Sequence, residues 1–164
     1  MCICLVSALA HHDLTYAIPD ALDVAIPRGS RSPASTGTIA RHQFDRATFD
    51  IGWDYTPIPG TDQTIGMYSP ERSITDAFRL RGEVGYEPAQ EALKEWLRRD
   101  GKPARLMEIA SRLPRAKSPV LRPWKHCHEL EMRYSGASSP PQAEWRAADQ
   151  SVIFGQPPSP GGAS

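Results

Sequence analysis

Apolar positions fall in short runs along the first half of the chain and in helical stripes along the second half. Residues 3–12 carry a helix-like apolar pattern that ends near Asp13, one of the few non-glycine residue types that tolerates a left-handed stop. From Leu22 to Met67 short apolar runs are broken by Gly, Pro and Ser. Segments 23–26, 38–44, 48–51 and 64–67 read as four short strands, and 55–58 as a fifth, interrupted by Pro57. The stretch 28–37 between the first two is a polar loop. Ser69-Pro70-Glu71 then has the punctuation of a helix start, with a capping hydroxyl, a proline that needs no partner for its missing N–H, and a carboxylate at the positive end of the dipole. Ile74, Ala77 and Phe78 form the buried stripe of that helix, which leaves Arg72, Thr75, Arg79 and Arg81 on its more exposed side. Ala89, Ala92, Leu93, Trp96 and Leu97 mark a second stripe, with Glu91, Lys94, Glu95, Arg98 and Arg99 outside it. Asp100-Gly101 ends it, and Pro103 opens a last helix with Leu106, Ile109, Ala110 and Leu113 on one face. This order predicts an α+β fold: a small mixed sheet of four to five strands, an N-terminal helix and a helical C-terminal half.

Beyond Leu121 no period is sustained. The segment is rich in Ser, Pro, Gly and Gln and ends in Pro157-Pro158-Ser159-Pro160-Gly161-Gly162. Such a composition buries too little apolar surface to offset its ordering entropy, so the expected organisation is one domain over 1–121 and a disordered tail over 122–164.

The segment Tyr68-Ser69-Pro70-Glu71-Arg72-Ser73-Ile74-Thr75-Asp76-Ala77-Phe78-Arg79-Leu80-Arg81 resembles the AbiEi antitoxin family of type IV toxin-antitoxin (abortive-infection) systems. Cys4 to Thr15 looks like the helix that follows the winged-helix module of those proteins. Val24-Ala25-Ile26-Pro27-Arg28-Gly29 looks like their first strand and turn, and Glu91 to Leu97 like their amphipathic helix. The resemblance covers roughly residues 2–121 and is most specific at 68–81. It implies an antitoxin-type C-terminal domain that opposes a nucleotidyltransferase-like toxin, either directly or at the toxin's target. The winged-helix module that represses the operon in such proteins is missing here, so DNA binding is not carried over. Shifting by two bases the frame of the codons possible for residues 122–129 permits an apolar position, Leu/Val/Met, Glu, Ala/Thr, Leu, Ser/Pro and then a stop or Arg, an amphipathic ending of the kind that closes the family's chains. A frameshift before Arg122 is therefore expected, and 122–164 is expected to have no selected function.

With 164 residues, 40% hydrophobic, the chain has room for one cored domain. Nineteen basic and nineteen acidic side chains give a formal net charge of zero, which removes any global electrostatic case for nucleic acid or an anionic membrane. The apolar run Cys2 to Ala10 is too short to span a bilayer and lacks a basic segment before it, and three cysteines do not make a secreted disulfide framework. The expectation is a cytoplasmic protein.

Candidate chemistry is sparse. Cys2, Cys4, His11 and His12 are ligand types without zinc-knuckle spacing, and His126-Cys127-His128 lies in the suspected out-of-frame tail. Asp100-Gly101-Lys102 matches half of a restriction-type nuclease site, but its position between two helices makes it a helix stop. P-loop, Rossmann, nucleophile-elbow and zincin patterns are lacking. The expectation is a protein that is no enzyme and has no cofactor and no metal. The polar members of the family-like motif, Arg72, Ser73 and Asp76, are the first interaction candidates, with Arg72 and Asp76 spaced as an i, i+4 pair that braces the helix and shapes a surface. Arg28 and Arg41 are second, since basic residues crowd locally despite the neutral total. Competing readings are a DNA-binding protein derived from a transcriptional regulator, a degraded nuclease-like domain, and a decayed fragment without activity.

Overall fold

A computed structural model describes residues 1–31, 38–116, 119–120 and 122–123. The expected tail, its frameshift and His126-Cys127-His128 fall outside the described residues, as does most of the loop over 28–37. The elements in order are β1 (Cys2–Ile3), α1 (Leu5–His11), β2 (Leu22–Pro27), β3 (Ile39–Phe44), a 3-10 turn (Arg46–Thr48), β4 (Trp53–Pro57), β5 (Thr64–Tyr68), α2 (Pro70–Arg79), α3 (Arg81–Val84), α4 (Tyr86–Arg98) and α5 (Pro103–Arg112). One five-stranded mixed sheet runs β3-β2-β1-β5-β4. The fold is α+β.

Two residues hold the centre of that sheet. Cys2 pairs with Ala25 in antiparallel β2 and with Gly66 in parallel β5, and Ile3 does the same with Val24 and Met67. The helical pattern over 3–12 conceals this strand, because two residues are too few to show a period of two. The helix begins only at Leu5, after an extended Cys4 whose N–H reaches the Asp23 carbonyl at 3.0 Å. Segment 48–51 is not a strand. Asp45 accepts the Ala47 N–H on its side chain, which offers the backbone a local partner and starts the 3-10 turn instead. The strand that the sheet uses is β4, with Pro57 at its end on the sheet edge, where a missing donor is tolerated.

Helix α2 is the hub. Ser69 accepts the Arg72 N–H at 3.3 Å, and Pro70 opens the helix as expected. Ile74, Ala77 and Phe78 join a helical core with Leu9, Leu93, Trp96, Leu106 and Ile109. The opposite side is not exposed. Arg72 and Thr75 are fully buried, because α2 packs against α1, α4 and α5 while its polar side meets a second core of Cys2, Cys4, Leu5, Ala25, Phe44, Phe49 and Tyr68. An amphipathic stripe reports only the more apolar of two covered faces. Arg81 is exposed and Arg79 half-buried.

Asp13 and Asp100 both take a left-handed backbone, with φ of 54° and 58°, at the ends of α1 and α4. The two ends also support each other: Arg99 donates to the carbonyls of His12 at 3.3 Å and Asp13 at 2.8 Å. Glu91 is half-buried rather than outward, accepting from Thr15 Oγ1 at 2.5 Å and from the Tyr16 N–H at 3.2 Å. No helix among the described residues is long and apolar enough to cross a membrane.

Candidate functional site: an arginine-lined groove

The motif residues build a brace. Arg72 Nε donates to Asp76 Oδ2 at 2.6 Å, and Arg72 Nη1 donates to the carbonyls of Thr48 and Ile51 at 2.7 and 2.8 Å. Its guanidinium lies 4.4 Å from the centre of the Tyr68 ring and 5.7 Å from that of Phe44, within cation–π range of both. Gly52, at φ +70°, lets the turn after the 3-10 segment come this close, since a Cβ there would press on the Arg72 Cβ. Ser73 Oγ donates to the Tyr68 carbonyl at 3.4 Å. The sequence suggested an interaction surface at Arg72, Ser73 and Asp76, but all three are at 0% exposure, so they form no part of the surface of this chain. They hold the turn after β3 and the end of β5 against α2.

That bracing shapes a groove beside β3, one of the two edge strands of the sheet. Its cavity, about 670 Å³, is lined by Arg28 after β2, by Arg41, His42, Gln43, Phe44 and Asp45, by Arg79, Leu80 and Glu83 after the hub helix, and by Pro114 and Arg115 after α5. Arg28 and Arg41, expected from sequence as the secondary candidates, lie together here. Arg28 is exposed and Arg41 half-buried. Arg79 reaches from the brace: its Nη2 sits 2.9 Å from Asp76 Oδ1, at ion-pair distance but without hydrogen-bond alignment, and its buried Nε has no partner. The Arg79 guanidinium lies 5.3 Å from the Phe44 ring centre. Arg115 takes a left-handed backbone, φ 60°, in the turn that follows α5.

His42 forms part of the groove wall. Its Nε2 lies 2.9 Å from Asp23 Oδ1 and its Nδ1 3.5 Å from Glu83 Oε2. Asp23 is itself fixed by the Ser7 N–H and hydroxyl, both at 3.2 Å. The hydrogen bond to Asp23 raises the His42 pKa, burial opposes it, and the charges of Asp23 and Glu83 add to the rise. Only the imidazolium can donate from both nitrogens. Because the folded value is raised, the stabilisation is complete below the unfolded His pKa of roughly 6.5 and is lost as pH rises through the folded value. Chemical denaturation across that range should show a fall in stability in the wild type that His42→Gln lacks, and parallel pH profiles would remove His42 from the account.

The other candidates are placed elsewhere. Cys2 and Cys4 are buried in the sheet core. Burial pushes both thiols up, Cys2 to about 12, which disfavours the thiolate that a metal would need. His12 is tied to the backbone, with Nε2 2.9 Å from the Tyr68 carbonyl oxygen. Among the described residues no three His, Cys, Asp or Glu side chains converge as a metal site. Asp100 and Lys102 lie at the end of α4 and the start of α5, a helix-to-helix turn.

With the groove and brace in view, comparison with known proteins adds nothing further. No protein-family model and no curated protein matches this chain. Sequence reasoning missed His42, Glu83, Arg79 and Arg115 as groove residues. The one signal was local: His42 stands between Arg41 and Gln43 in a run of three consecutive polar residues within β3.

Proposed function

We propose that this chain is a binding module of the antitoxin type, opposing a nucleotidyltransferase-like toxin through its arginine-lined groove. One observation supports the reading most. The Tyr68–Arg81 segment that resembles AbiEi antitoxins is a continuous unit in which strand end, cap and helix carry the buried brace of the whole fold. The polar residues of the motif have an architectural task in this chain. The work of recognition then falls to residues that the framework positions, exposed Arg28 and half-buried Arg41 foremost.

The test is co-expression with a nucleotidyltransferase-like toxin encoded beside this gene, read as growth. Arg28→Glu together with Arg41→Glu should abolish protection while shifting stability by no more than about 0.5 kcal/mol per site, as expected for substitutions away from the packed core. Protection by the wild type that survives both reversals would take the groove out of the reading. No protection by the wild type against the neighbouring toxin would remove the antitoxin function itself.

A further inference from the structure

We infer that the groove beside β3 is a binding site for the terminal phosphate of a small, nucleotide-sized phosphate ester. The inference takes the groove as the working surface but does not depend on the toxin, since binding is read on the purified chain.

Four separate parts of the chain each contribute an arginine to the lining of the same cavity: Arg28 after β2, Arg41 in β3, Arg79 at the end of α2 and Arg115 after α5. Arginine presents a planar fork of donors that matches phosphate oxygens two at a time. Against these four stand the carboxylates of Asp45 and Glu83 in the lining. Both are engaged locally: Asp45 accepts the Ala47 N–H, and Glu83 approaches His42. Among the described residues Arg28, Arg41 and Arg115 make no ion pair, and Arg79 keeps a buried Nε without a partner.

Size and charge select the kind of ligand. A cavity of about 670 Å³ falls within the range of sites for small molecules and cofactors. The chain as a whole has zero net charge, so it has no broad positive field to draw a long polyanion along its surface. What it has is a local convergence, which suits a compact anion with one or two phosphates. Leu80 and Pro114 give the same cavity an apolar wall for the remainder of the ligand.

Isothermal titration of the full chain with pyrophosphate and with adenosine diphosphate, at constant ionic strength, tests the assignment. Saturable one-site binding is expected for both. In R28Q/R41Q, checked for an unchanged unfolding midpoint, affinity should fall at least about tenfold, since two charge-assisted contacts are lost. No binding at millimolar ligand, or equal binding by R28Q/R41Q, overturns the site. A single-stranded oligonucleotide that binds more tightly than the diphosphate, with a salt dependence of several phosphates, also overturns it in favour of backbone tracking. Loss of protection in cells with intact diphosphate binding would leave this site standing and remove only the antitoxin function.

Discussion

Arg72→Ala should leave the chain at or beyond the edge of unfolding. Removing one partner of a buried ion pair costs about 3–5 kcal/mol, a large share of the roughly 5–15 kcal/mol that holds a domain of this size. Here the loss leaves the buried Asp76 carboxylate with Arg79 as its one remaining cation and takes the arginine donor from the carbonyls of Thr48 and Ile51 together. The usual remedy, replacing both charges with apolar residues of similar volume, should fail in this protein. Arg72→Met with Asp76→Leu removes the pair, yet the Ile51 carbonyl and the Arg79 guanidinium lose their partners and the Thr48 carbonyl keeps only the Ile51 N–H at 3.4 Å, at about 1–3 kcal/mol for each unsatisfied group. Arg72→Lys should be intermediate, since one ammonium cannot span a carboxylate and two carbonyls as the guanidinium does. Urea unfolding followed by tryptophan fluorescence orders the three variants. A double variant as stable as wild type would show that the carbonyl contacts contribute little.

The second large effect belongs to the turn between α4 and α5. Trp96 is only 5% exposed, and its indole lies where a Cβ on Gly101 would stand. The Gly101 N–H donates to the Trp96 carbonyl at 3.0 Å, which fixes the glycine over the ring it must accommodate. Trp96→Ala should cost about 3–5 kcal/mol through lost burial and the cavity left behind. Gly101→Ala should cost about 1–3 kcal/mol by overpacking. The two are coupled: in the Trp96→Ala background Gly101→Ala should cost clearly less, because the obstacle is gone. A thermodynamic cycle of the four proteins reads this directly, and additive costs would mean that the glycine is needed for its backbone alone. Asp100-Gly101, which in sequence reads as a helix stop, is thus also a packing constraint on the core.

Helices and strands differed in how far the sequence disclosed them, for physical reasons. Helices α2, α4 and α5 announced themselves because their starts are marked by Ser69-Pro70 and Pro103, and because a stripe such as Ala92, Leu93 and Trp96 repeats over several turns. The sheet was legible in outline only. β1 is two residues long, and segment 48–51 has a strand's composition but is committed to a side-chain-capped turn by Asp45. Burial of Arg72 and Asp76 was hidden for another reason: a charged i, i+4 pair looks the same on a wet surface as in a core, and only the second layer of structure over it distinguishes them. The groove was the least visible part. Arg28 and Arg41 could be suspected from local crowding, but Arg79 and Arg115 join them only through the packing of α2 and α5 around the sheet edge.

The two-residue strand at the start of the chain carries a consequence for synthesis. Cys2 and Ile3 precede the rest of the sheet in the chain, yet their parallel partners Gly66 and Met67 come only at the end of the sheet-forming region. Until β5 has cleared the ribosome, β2 with its neighbour β3 can form only an incomplete sheet, with β1 open along one side. The brace comes later still, because Arg72 and Asp76 follow the strands that they fasten. Folding of this half of the molecule therefore has to wait for nearly eighty residues of chain, roughly five to fifteen seconds at ordinary rates of elongation. During that interval β1 lacks its parallel partner.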